Sequence, residues 1–153
     1  MRYEYIEPFV ASTIKVLDNV MQTDITQGEI SLVMDDEISG DVAIIVKVKG
    51  DSEGYIILNM YTDTALNISN IMFGDHFETL TPMGMDSIAE LANMIAGNAT
   101  SALNDQGFDF RVYPPVIVRK EDLKNKAARI EAFQIPLFSE YGEILMNVSL
   151  RTN

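Results

Sequence analysis

The amino-acid sequence predicts an α+β fold in which long helices pack on an antiparallel sheet, built from a duplicated helix-plus-meander unit. Three observations carry this. Two segments, one near the N-terminus and one in the middle, repeat apolar residues at the i, i+3, i+4, i+7 spacing of amphipathic helices. Each is followed by three strand-like segments bounded by turn residues. Finally, G-Y-I-I-L-N-M (Gly54–Met60) resembles G-E-I-L-M-N-V (Gly142–Val148), with Gly, Ile and Asn recurring in register.

The first helix is expected from Glu4 to Met21, with Pro8 near its first turn, where a missing N–H costs little. Ile6, Phe9, Val10, Thr13, Ile14 and Leu17 form its apolar face. Strands are expected over 27–34, 40–49 and 54–60. The turn stretches D-D-E-I-S-G and G-D-S-E-G between them predict an antiparallel meander. Asp35, Asp36 and Glu37 are consecutive acids in a turn, which reads as a solvated loop rather than a metal cluster. A second helix is expected over 63–72, with Thr62 as N-cap and Gly74 as its stop. His76 is the single histidine; with no cysteine and no second histidine to join it, it reads as a surface or half-buried loop residue.

The organising helix is expected from Met85 to Gln106, stopped by Gly107. At about 100° per residue, Ile88, Leu91, Ala92, Ile95, Ala99, Ala102 and Leu103 share one side. Asp86, Glu90, Asn93 and Gly97 fall within about 60° of one another on the opposite side, with Ala89 and Ala96 beside them. Strands follow over 108–119, 126–138 and 142–150. Pro114-Pro115 breaks the first, which must therefore lie at an edge or kink there.

At 153 residues the chain has the size of one domain, which buries roughly 68–70% of its unfolded surface and needs no staple. It has no cysteine, which fits a reducing compartment. Its charge of −12 argues against nucleic acid and anionic membrane as partners. Neither an apolar leader nor a membrane-length apolar run is present, so the chain reads as cytoplasmic and soluble.

The polar ridge of the organising helix is the candidate site. Asn and Gly cost up to ~0.7 and ~1 kcal/mol relative to Ala in helix interiors, and an exposed position gives no packing reason to accept them. No Ser–His–Asp set and no Walker-type glycine loop accompanies the ridge. An amide can instead both accept from and donate to a water, fixing its line of approach. In phosphoryl transfer such positioning supplies much of the catalysis. A neighbouring carboxylate can anchor a partner's lysine.

The run D-S-I-A-E-L-A-N-M-I-A-G-N-A, followed further on by Y-P-P-V-I-V, resembles the CheX branch of the CheC/CheX/FliY phosphatases. Y-I-E-P-F and S-G-D-V-A-I-I-V-K-V-K-G-D-S-E-G-Y-I-I-L extend the likeness over most of the chain. The resemblance implies an α/β sandwich with pseudo-twofold symmetry. It further implies removal of the phosphoryl group from the aspartyl phosphate of CheY-type response regulators. On that pattern Asn93 orients the hydrolytic water and Glu90 contacts the regulator's lysine. Asp86, Gly97 and Pro114 or Pro115 belong to the partner-binding surface. Mg2+ is expected in the regulator and no cofactor in this chain, and a homodimer through edge strands is implied. Two departures stand out. Glu7 is followed at three residues by Val10 rather than an amide, so the first helix lacks a second pair, and Arg119-Lys120 replaces a glycine usual after Val118. The rival reading is a non-catalytic CheC-like module that docks a signalling partner.

Overall fold

The computed structural model describes residues 3–35, 40–119 and 130–152. In chain order the elements are α1 (Tyr3–Met21), β1 (Thr26–Gln27), β2 (Ser31–Asp35), β3 (Val42–Gly50), β4 (Ser52–Met60), α2 (Thr62–Phe73) and α3 (Pro82–Asp105). They continue with β5 (Phe110–Val112), β6 (Val116–Arg119), β7 (Ile130–Ser139) and β8 (Gly142–Thr152).

β4 and β8 run antiparallel at the middle of the sheet, flanked by β3 and β7. β1 and β2 pair with β7 on one side, and β5 and β6 pair with β3 on the other. The arrangement is two-fold symmetric. In the sequence repeat Gly54 corresponds to Gly142, so Leu58 corresponds to Met146. Those two residues are themselves cross-strand partners, which places the local two-fold between them.

Alternate strand residues build the core, as period-2 side-chain alternation requires. Val42, Ile44, Val46 and Val48 of β3, Ile56, Leu58 and Met60 of β4, and Ile144, Met146, Val148 and Leu150 of β8 are all buried. They cluster with Ile6, Phe9 and Leu17 of α1 and with Ile88, Leu91, Ile95 and Leu103 of α3. α3 packs over β3 and β5, α1 over β7 and β8, and the two helices pack against each other.

The fold class is as expected, but each meander is open. The first strand of each half pairs with the other half, Leu32 opposite Phe133 and Ile117 opposite Ile44. Only the hairpins β3–β4 and β7–β8 are local. Alternation sets which face a strand buries but not which strand lies beside it.

Several boundaries also shift. α1 is already helical at Tyr3, so Pro8 lies in its interior and leaves the Glu4 carbonyl without its N–H partner. The fully buried Ile6 and Phe9 on either side supply packing that holds the helix there. The expected strand 27–34 is split into β1 and β2, and between them the Gly28 N–H donates to the Pro136 carbonyl at 2.8 Å. Pro114-Pro115 separates β5 from β6, and both pieces lie at the sheet edge. Thr62 is the first residue of α2 rather than its cap. The Asp41 carboxylate caps this end instead, accepting from the Thr62 N–H (3.0 Å) and hydroxyl (3.1 Å) and opposing the helix dipole. Gly74, at φ 64°, ends α2 as expected. His76 is exposed in the following loop. Asp36, Glu37, Lys120 and residues 126–129 of the expected strand lie outside the described residues.

Candidate functional site

α3 starts at Pro82 rather than Met85, because Thr81 supplies an N-cap: its hydroxyl oxygen accepts from the Gly84 N–H at 3.0 Å. Pro82 occupies the first turn, where no N–H is needed. The helix ends at Asp105 with Gln106 as its C-cap, and Gly107, at φ 99°, turns the chain away just beyond, its N–H donating to the Asn104 carbonyl. Asn104, absent from the sequence-derived site, is a clamp. Its amide oxygen accepts from the Phe110 N–H (2.8 Å) and its amide nitrogen donates to the Phe110 carbonyl (3.2 Å), fastening β5 to the end of α3.

The buried side matches the predicted stripe: Ile88, Leu91, Ala92, Ile95, Ala99 and Leu103 are buried, and Ala102 is half-buried. On the other side Asp86 and Glu90 are exposed, while Asn93, Gly97 and Ala89 are half-buried. Ala96 is a correction. It is fully buried and contributes nothing to the ridge, because a neighbouring element covers that flank of the helix. Asn93 lies at the lip of this covered flank, shielded on one side and open on the other.

Among the described residues, neither the Glu90 nor the Asn93 side chain makes a hydrogen bond or an ion pair. Spaced i and i+3, their Cβ atoms are about 5–6 Å apart on one face. Asp86 and Glu90 are like charges at i and i+4, a spacing that costs a few tenths of a kcal/mol. α3 carries no Lys, Arg or His. Three locally unfavourable choices therefore share one strip: a like-charge pair, an interior Asn and an interior Gly. The strip offers hydrogen bonds and negative charge, so any charge neutralisation of a phosphoryl group has to come from a partner.

A Cβ built on Gly97 meets nothing within 4 Å. Its own chain does not require this glycine. Gly97→Ala should therefore raise stability by about 0.5–1 kcal/mol, read as a higher Tm. A lower Tm would show that the position is constrained by its own fold.

Pro114 is exposed and Pro115 half-buried. The Tyr113 N–H donates to the Lys47 carbonyl at 3.0 Å, holding the segment against β3. β5 and β6, on either side of the two prolines, both pack against α3. On α1, Glu7 is exposed but Val10 is buried in the core, so that helix presents no matching pair.

Three helices among the described residues, packed on a two-fold antiparallel sheet with a polar strip open on α3, define a domain of the CheC-like class. A CheC-like superfamily protein from Shewanella sp. PV-4 superposes with a TM-score of 0.86 at 25% identity, covering 99% of each chain. Residues 42–138 match the family model of the chemotaxis phosphatase CheX, and the chain belongs to this family. A CheY-P phosphatase CheX from Thermotoga maritima is 28% identical over 137 residues, 88% of each chain. A chain of the CheX–CheY–BeF3–Mg2+ complex from Borrelia burgdorferi has a TM-score of 0.82 at 29% identity, over 98% of this chain and 99% of that one.

Proposed function

We propose that this chain hydrolyses the aspartyl phosphate of a CheY-like response regulator by inserting the α3 ridge at the regulator's phosphorylated site. The Thermotoga relative is a CheY-P phosphatase, and the Borrelia neighbour was solved with CheY, BeF3 and Mg2+. The observation that carries the reading is the free Glu90–Asn93 pair on a rigid helix, kept at a local energetic cost.

In the reaction a water oxygen bonds to phosphorus as the bond from phosphorus to the aspartyl oxygen breaks. The carboxylate is regenerated and inorganic phosphate leaves. The Asn93 amide oxygen accepts from the attacking water and its nitrogen donates to an oxygen of the reacting group, holding the water in line. Glu90 pairs with a lysine of the regulator and fixes how the helix docks. Asp86 and Gly97 border this contact, and Pro114 and Pro115 line its side. The Mg2+ belongs to the regulator, and this chain supplies no cofactor. The outer edges of β2 and β6 are the strands through which we propose that two copies associate, testable by sedimentation mass. Cytoplasmic residence follows from the proposed partner.

The test is phosphate release from a panel of phosphorylated receiver domains at substoichiometric protein. Many turnovers per molecule support the hydrolase. Release limited to one phosphate per molecule, or none beyond the spontaneous rate, supports the docking module instead. Glu90→Gln, which keeps shape and removes charge, should raise KM about tenfold with little change in kcat and a weaker salt dependence. An unchanged KM would remove the lysine-anchor role.

A further inference from the structure

Two parallel stripes run along the open side of α3. Asp86, Asn93 and Gly97 form one, at i, i+7 and i+11; Met83, Glu90 and Met94 form the other with the same spacing. At about 100° per residue the second set lies within about 40°, so the two methionines sit on either side of Glu90 along the helix. Met83 is 63% exposed and Met94 38% exposed. Neither belongs to the hydrophobic core or to the residues packed against it. Met83 stands mostly clear of its own fold, and Met94 keeps over a third of its surface open on the same side.

We infer that Met83 and Met94 are the apolar anchors that seat the phosphorylated receiver domain, closing over the Glu90 contact from both sides. This rests on the phosphatase reading above and names what the partner must present: a cationic side chain flanked by apolar ones. Charge points the same way. The stripe's only ionisable group is Glu90, Asp86 lies beside it, and the whole helix lacks a cation, so the complementary face is basic at that point. Apolar side chains around a charge pair exclude water, which strengthens the pair and concentrates binding energy at its centre. Methionine suits this position because its unbranched, polarisable side chain adapts to a partner's relief.

The test uses the full chain with Met83→Ala, Met94→Ala and the double variant, in steady-state kinetics against a phosphorylated receiver domain it turns over. Each single variant should raise KM about tenfold, with kcat within about twofold of the parent, and Met83→Ala, at the more exposed of the two positions, should leave Tm unchanged. Met94→Leu, which restores apolar bulk, should recover most of the loss. Tyr61→Ala, 57% exposed at the N-cap of α2, should leave KM unchanged. An unchanged KM in the double variant overturns the inference, as does an equal loss in Tyr61→Ala. If Asn93→Ala loses kcat while the methionine variants behave as the parent, only the anchors fall. If the parent turns over no receiver domain, the phosphatase reading falls. The anchors are then decided by titration with a receiver domain carrying BeF3 and Mg2+, where an unchanged Kd in the double variant rejects them.

Discussion

Asn93→Ala should lower kcat for regulator dephosphorylation by at least about a hundredfold while leaving Tm unchanged or slightly higher. The size follows from what a positioned hydrogen-bonding group contributes where charge and geometry change in the transition state, typically about 10²–10³ in rate. The direction of the stability change follows from the helix. Asn is a poorer helix former than Ala by up to ~0.7 kcal/mol, and the Asn93 side chain bonds to no described residue. Loss of activity with retained or improved folding is the signature of a residue kept for chemistry. KM should move little, because Glu90 and its neighbours hold the partner. Rates from single turnovers at saturating protein, set beside thermal unfolding of the same samples, check both halves.

Leu91→Ala should do the reverse. Leu91 is fully buried on the opposite side of α3, between Glu90 and Asn93 in sequence. Removing its side chain leaves a cavity in the cluster that joins the helix to the sheet and costs about 2–5 kcal/mol. In a chain of 153 residues that lowers Tm by about 5–15 °C, a large share of a typical domain's stability. The fraction that remains folded should keep kcat near the parent value, since the ridge is presented unchanged. Chemical unfolding gives the stability loss, and kinetics corrected for the folded fraction give the other half. If Leu91→Ala lost kcat as severely as Asn93→Ala while folded, the ridge would owe its activity to helix placement rather than to the amide.

The contrast between Asn93 and Leu91, two positions apart, explains which features were legible in the sequence. Helical periodicity is a property of one segment, so the buried and open faces of α3 were readable from spacing alone. The open position of Glu90 and Asn93 was readable from the same spacing, and Asn93 stood out because an interior Asn runs against helix propensity without a packing reason. Turn chemistry at Gly74 and Gly107 was equally local. Ala96 was misplaced because its burial depends on a neighbouring element that spacing cannot see. The pairing of β2 with β7 and of β6 with β3 was hidden for the same reason. Those contacts join residues about a hundred positions apart in one case and tens in the other, and a strand's alternation does not name its neighbour. Asn104 escaped notice because a clamp on Phe110 looks, in sequence, like a polar residue near a helix end. The Asp41 cap on α2 was likewise invisible, since it reaches the helix end from the start of β3. The seven-residue repeat is a non-local signal in the sequence. It works because Leu58 and Met146 straddle the two-fold axis that it implies.

The most direct measurement is the side-chain amide signal of Asn93 in a ¹H–¹⁵N spectrum, followed as a receiver domain carrying BeF3 and Mg2+ is added. An amide that reaches into the phosphorylated site should shift strongly and exchange its protons more slowly in that complex, and do so far less with the unmodified receiver domain. A signal that stays in place while the same protein is releasing phosphate would put the chemistry somewhere other than this helix.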